Sequence, residues 1–118
     1  MSRAKEKGDA GEQMAVEYLL RKGYELIARN YRKRGCEADI IAKDGDTLVI
    51  AEVKARSACG FQSGGEAITK AKRRRVTQAA LSFLSENALG DVAVRFDALL
   101  IGLSGEIEHI VGAFDAEL

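Results

Sequence analysis

The stretch Glu37–Lys54, E-A-D-I-I-A-K-D-G-D-T-L-V-I-A-E-V-K, constrains this chain more than any other. Two apolar, strand-like runs flank a turn at Lys43-Asp44-Gly45-Asp46, the pattern of a β-hairpin. Aspartate and glutamate are poor strand residues and costly to bury, yet Asp39 and Glu52 stand inside those runs. With Asp44-Gly45 as the two-residue loop, paired positions sum to 89: Ile41 faces Leu48, Asp39 faces Ile50 and Glu37 faces Glu52. The side-chain period of two then projects Glu37, Asp39, Glu52 and Lys54 from one face. Asp39 becomes a diagonal neighbour of Glu52, at about 7–8 Å between backbones.

Two carboxylates leaning across such a gap would share one small cation. Mg²⁺ or Mn²⁺ suits them, because these ions prefer hard oxygen ligands and keep waters in their shell. Without a cation the carboxylates would repel each other. Lys54, two residues beyond Glu52, would reach a phosphate at the ion. These are the parts of metal-dependent phosphodiester hydrolysis: the ion polarises the phosphoryl oxygen and activates water, while the lysine orients that water or stabilises developing charge. Against this stands a plainer account, in which Glu52 and Lys54 form a surface salt bridge, since D…ExK is a short pattern.

Upstream, Gly8–Lys22 is helical in pattern. Glu12, Ala15, Val16 and Leu19 fall on one face, with Asp9 as a candidate cap and Gly23 as a stop. A glutamate on an apolar stripe has two explanations: it belongs to the acidic site, or it sits in the first turn and favours the helix dipole. Residues 24–34 read as a strand with a basic tail, Arg32-Lys33-Arg34, and Gly35 supplies a bend. Residues 37–42 and 47–54 are the next two strands. The latter is apolar on both faces and so central in its sheet. Residues 55–68 hold three glycines and two serines and read as a loop beside the site. A second helix runs from Thr69, its N-cap, to about Asn87, burying Val76, Ala79, Ala80 and Phe83. Strands at 92–101 and 106–111 close an α/β order, α-β-β-β-α-β-β, with a mixed sheet flanked by helices.

At 118 residues the chain is long enough for one domain with a real core, residues 1–7 being expected to be flexible. No apolar run reaches the length of a membrane span, and no secretory signal opens the chain. Two cysteines and one histidine give neither a zinc site nor a disulfide framework, which favours a reducing cytoplasm. Zero net charge hides an asymmetry: residues 1–75 carry 17 Lys/Arg against 11 Asp/Glu, and residues 76–118 carry one against seven. Either the halves neutralise each other in the fold, or the chain presents a basic face.

The start of the second helix favours a basic face. Lys70, Lys72, Arg73, Arg74 and Arg75 crowd its first two turns, where positive charge opposes the helix dipole. A bound polyanion would offset that repulsion, and a helix N-terminus suits phosphate. Lys72, four residues before Val76, extends the buried stripe toward the site. With Arg56, Arg32, Lys33 and Arg34 these residues would track a nucleic-acid backbone. Arg95 and Asp97 share a strand face and read as a structural ion pair. His109 reads as a hydrogen-bonded structural histidine, and Cys36 and Cys59 as inert thiols.

Across about residues 8–114 the chain resembles the YraN-like bacterial family of uncharacterised proteins, of the restriction-endonuclease-like superfamily that includes archaeal Holliday-junction resolvases. The residues that carry the resemblance include Gly11-Glu12 with Ala15, Gly23-Tyr24, Asn30-Tyr31, Glu37 and Asp39, Asp44–Val49, Glu52-Val53-Lys54 with Arg56, Phe61, Glu66-Ala67, Lys72, Arg95-Phe96-Asp97, Glu108-His109-Ile110 and Ala113-Phe114. Cys36, Ala38 and Gln62 depart from the family pattern without removing a ligand. The resemblance implies a Mg²⁺-dependent nuclease fold, with Asp39, Glu52 and Lys54 as the D…ExK residues and Glu12 as the helix-borne acidic residue of resolvase-like members. The expected activity is a Mg²⁺- or Mn²⁺-dependent endonuclease on DNA, on branched or repair intermediates. Asp39, Glu52 and Glu12 would be metal ligands, and a homodimer would serve cutting of two strands. The alternatives are a non-catalytic nucleic-acid-binding module with the same fold and a partner-binding scaffold with a vestigial acidic cluster.

Overall fold

The computed structural model describes the backbone of residues 3–55 and 68–118, and the side chains of residues 10–55 and 68–118. In chain order the elements are α1 (Arg3–Arg21), β1 (Glu25–Lys33), β2 (Cys36–Asp44), β3 (Thr47–Ala55), α2 (Lys70–Glu86), β4 (Ala93–Ile101) and β5 (Ile107–Phe114). The α-β-β-β-α-β-β order is as expected. The strands form one sheet in the order β1-β2-β3-β4-β5, antiparallel except for the parallel pair β3–β4, whose crossover carries α2. The strand β3, apolar on both faces over Leu48–Ala51, takes the central place that its sequence predicts.

The two helices cover opposite faces. On one, α2 buries Val76, Ala79, Ala80 and Phe83 against Ala38, Ile41, Leu48, Ile50, Phe96 and Ala98. On the other, α1 buries Ala15, Val16 and Leu19 against Ile40, Ala42, Val49, Ala51 and Leu99. Gly23, at φ +92°, ends α1 in a Schellman motif: its N–H donates to the Leu20 carbonyl and that of Tyr24 to the Leu19 carbonyl, both at 3.0 Å. The helix begins at Arg3, ahead of the Gly8 start expected, so Asp9 lies inside it rather than at its N-cap position. Glu12 is therefore well past the first turn, and the dipole account of it fails. Thr69 does cap α2, accepting from the Lys72 N–H at 3.2 Å.

The hairpin register differs from expectation. Asp44 pairs with Thr47 and Ile41 with Ile50, so the loop is Gly45-Asp46 and paired positions sum to 91 rather than 89. Gly45 has φ +60°, while Asp46 is not in the left-handed region. Positive φ at the first loop position alone is the type II′ arrangement, which glycine followed by a polar residue satisfies. An Asp44-Gly45 loop of type I′ would have forced Asp44 to positive φ. The two-residue shift moves Asp39 from diagonal to directly opposite Glu52.

The unbroken alternation assumed in placing Glu37, Asp39, Glu52 and Lys54 on a single face does not hold through β2. Ala38 and Ile41, three apart, both belong to the α2-side core, whereas Ile40 and Ala42 belong to the α1-side core. The alternation of β2 therefore changes phase at Asp39. Its neighbour β1 changes phase at the same level, since Ala28 and Tyr31, also three apart, both pack on the α2 side. Asn30 lies between them at φ +51°, a conformation unusual outside glycine but tolerated by asparagine. Its amide donates to Glu12 Oε1 at 2.8 Å.

Asn30 thus holds a backbone irregularity and a buried carboxylate together. Asn30→Gly keeps the left-handed backbone and loses the bond to Glu12, at a cost of about 1 kcal/mol. Asn30→Val loses both and costs a further 1–2 kcal/mol or so. Urea unfolding of the three proteins should rank them wild type, Gly, Val; equal stability of the Gly and Val variants would contradict the strained-backbone reading.

Candidate active site

Backbone pairing between β2 and β3 runs from the turn to Ile40 opposite Ala51. Beyond that point side chains take over the ladder. The Asp39 N–H donates to Glu52 Oε2, and the Val53 N–H donates to Asp39 Oδ2, each at 2.9 Å. Asp39 and Glu52 are thus bonded to each other's strand across the gap between them. Their carboxylates are fixed without being fully used.

Glu52 is 1% exposed, and its Oε1 accepts no hydrogen bond. Burial, reinforced by the adjacent Asp39 charge, pushes its carboxyl up to about 8. The nearest cation is Lys72, with Nζ 3.3 Å from Oε1. A surface salt bridge between Glu52 and Lys54 is excluded: Glu52 is buried, and its ion-pair partner comes from α2.

Lys54 is exposed at the rim of a cleft of about 360 Å³, whose described walls include Asp39, Glu52, Val53, Thr69, Lys72 and Arg75. A second cleft of about 370 Å³ is lined chiefly by apolar side chains of α2, β4 and the C-terminal tail and holds no paired carboxylates.

Glu12 is buried on α1 and turned inward. It accepts from Asn30 and, at 3.4 Å, from Arg29 Nε. Burial and the nearby Asp39 charge raise its pKa, with Arg29 acting in the opposite sense. Each of the three candidate carboxylates therefore has a cation beside it: Arg29 by Glu12, Arg32 by Asp39 at 3.9 Å, and Lys72 by Glu52. Among the described residues no three acidic, histidine or cysteine side chains converge as ready metal ligands. The structure brings Asp39 and Glu52 together and leaves Glu12 behind them.

Glu37 organises the basic residues. It accepts from Arg32 at 2.5 Å, from Lys72 at 2.8 Å and from Arg75 at 3.0 Å, and these cations, Lys72 foremost, hold its carboxyl down at about 2. Lys33 pairs with Glu86 instead. Arg73 donates to the Ile68 carbonyl at 3.0 Å and lies over the Phe114 ring. Arg34, Lys70 and Arg74 are exposed. Arg56, Cys59 and residues 56–67 of the loop expected at 55–68 lie outside the described residues.

Glu37 as anchor is what sequence reasoning missed; its place beside Asp39 and the cluster of positive charge around it in the sequence were the available signals. Away from the site, Arg95 and Asp97 form the expected structural pair, at 2.9 and 3.0 Å, and His109 Nε2 is 2.7 Å from Asp97 Oδ2.

The Oε1 of Glu52, buried without a hydrogen bond next to a second carboxylate at the wall of a polar cleft, fits a hard divalent cation that takes one or two carboxylates and fills its remaining positions with water. The raised Glu52 pKa has a consequence for the metal-free protein. The carboxyl is protonated more readily folded than unfolded, so its contribution to stability is present below about pH 4.5 and is lost as pH rises through about 8. Glu52→Gln should therefore change stability little at about pH 5. In EDTA at about pH 8.5 it should add on the order of 2 kcal/mol. Thermal unfolding at both pH values checks this, and a loss of stability at the higher pH would contradict it.

Residues 11–101 match the model of the uncharacterised protein family UPF0102. The chain is 42% identical over 114 residues to a UPF0102 protein of Geobacter metallireducens, covering 94% of this chain and 93% of that one. It is 40% identical to a relative from Desulfosudis oleivorans, covering all of this chain and 97% of the other. A Rhodococcus opacus relative is 41% identical, with 91% and 94% covered. With a family model matched over most of its length and relatives aligned nearly end to end, the chain belongs to the UPF0102 family.

Proposed function

We propose that this protein is a divalent-metal-dependent endonuclease that hydrolyses phosphodiester bonds in DNA, with branched or repair intermediates as its substrates and Mg²⁺ or Mn²⁺ as its cofactor. One observation carries the reading: a buried glutamate oxygen without a hydrogen bond, beside a second carboxylate, at the wall of a cleft that also presents a lysine. Asp39 and Glu52 would hold the ion. Their mutual strand-to-carboxylate bonds keep the pair in place before anything binds, which limits reorganisation on binding. When bound, the ion supplies Lewis-acid polarisation of the phosphoryl group and activation of water.

Lys54, exposed at the rim of the cleft, meets the scissile phosphate and offsets the charge that grows on it. Glu12, raised in pKa and close to Asp39, acts behind the pair as a positioning carboxylate. Arg34, Lys70 and Arg74 offer their charges to the backbone on either side. Arg75, at the cleft, and Arg32 are both held by Glu37 and would exchange that anion for phosphate. Cutting both strands of a duplex would call for two copies of this single site.

The test is incubation with linear, flap and four-way-junction DNA in Mg²⁺, Mn²⁺ or EDTA. Cleavage should require metal and vanish in Asp39→Ala and Glu52→Ala. Lys54→Ala should lower the rate on the order of 10²-fold or more while leaving DNA binding nearly intact. Salt-sensitive binding with no cleavage on any substrate would support the binding module instead. Absence of both would leave the scaffold reading.

A further inference from the structure

We infer that Lys72 is a resident counter-cation of the empty acidic pair, one that competes with a divalent ion for Glu52 and is drawn aside by Glu37. The inference deepens the proposed function and rests on its assignment of Asp39 and Glu52 as metal ligands. Lys72 Nζ lies between two carboxylates, 2.8 Å from Glu37 Oε1 and 3.3 Å from Glu52 Oε1. The two contacts differ in kind. The first is a hydrogen bond; the second is a longer ion-pair contact that falls outside hydrogen-bond geometry. The lysine is the counter-charge to ionised Glu52 and is held more closely by Glu37.

The surroundings make this a two-position device. The Lys72 side chain is 25% exposed and lines the cleft, so it has room to move, whereas Glu52 is 1% exposed and held by the Asp39 N–H. The Lys72 N–H is fixed by the Thr69 cap, which sets where the stem starts. A divalent ion on Glu52 Oε1 would stand within a few ångströms of the ammonium, and two such cations repel strongly in a partly buried site. One must leave. Glu37 already accepts the shorter bond from Lys72, so it receives the displaced ammonium. From there Lys72 meets a phosphodiester that enters with the ion. The basic residue at the unfavourable end of α2 thereby has a role in each state: counter-ion when metal is absent, phosphate contact when it is present.

Mg²⁺ binding measured by isothermal titration calorimetry at about pH 8.5, without DNA, tests this. Lys72→Met should tighten Mg²⁺ binding on the order of tenfold, because a competing charge is gone. Glu37→Gln should weaken it several-fold, on the order of fivefold, by releasing Lys72 onto Glu52. In the Lys72→Met background the larger part of the Glu37→Gln effect should disappear, which loss of a nearby negative charge by itself would not produce. Should Lys72→Met fail to fold, Lys72→Gln, which keeps a polar tip for Glu37, takes its place. Mg²⁺ binding that is unchanged or weaker without Lys72, or a Glu37→Gln effect of full size in the double variant, overturns this inference alone. No Mg²⁺ binding by the wild type or the Lys72 variant overturns the metal-site reading with it.

Discussion

The structure depends on a reciprocal bond between two strands. Where β2 and β3 stop pairing backbone to backbone, the Asp39 N–H donates to the Glu52 carboxylate and the Val53 N–H donates to the Asp39 carboxylate. Buried backbone groups need partners, and here they find them in acidic side chains. That substitution lets the strands separate at the end of the sheet without orphaned amides. It also fixes two carboxylates next to each other. The cost is a buried, poorly satisfied carboxyl on Glu52, whose ionisation burial opposes. A site that tolerates such a cost in its resting form is the kind of place where strain and function coincide.

Around this pair the charges are arranged by layer. Glu12 arrives from α1 and is held by Asn30 and Arg29 from β1. Lys72 and Arg75 arrive from α2 and are gathered by Glu37. The phase change at Asn30 and Asp39 lets one end of the sheet serve both layers, because the residues that follow it return to ordinary alternation in the two cores. A separate buried network joins Arg95, Asp97, His109 and Tyr24 on β4, β5 and the turn after α1. It stabilises the sheet away from the cleft: Asp97 is held down at about 2 despite its burial, by bonds from His109, Arg95 and the Gly112 N–H.

Much of this was legible in the sequence because it rests on local patterns. Period-two runs marked the strands, and the Leu48–Ala51 run, apolar on both faces, marked β3 as central. The Thr69 cap, Gly23 stop and Val76–Phe83 stripe marked the helix ends and faces. Glu12 was visible as a wrong residue on an apolar stripe, and Arg95–Asp97 as a pair on one strand face. The register was not legible, since Asp44-Gly45 and Gly45-Asp46 both satisfy the composition of a tight turn and differ only in which residue takes positive φ. The phase change was hidden for a related reason: one asparagine in a strand gives little sign of a left-handed backbone. Glu37 reads in sequence as one more acid beside the pair. Its role as anchor of Arg32, Lys72 and Arg75 depends on α2 being brought over β2, which is a long-range fact.

The central claim is that the gap between β2 and β3 at Asp39 and Glu52 is a divalent-cation site. Amide-resolved NMR with substoichiometric Mn²⁺ reads it most directly, because the paramagnetic ion broadens nearby N–H signals steeply with distance. The N–H groups of Asp39 and Val53, which donate to the two carboxylates, should broaden first, and excess Mg²⁺ should restore them. Broadening centred elsewhere on the chain, or none at these two amides, would contradict the account.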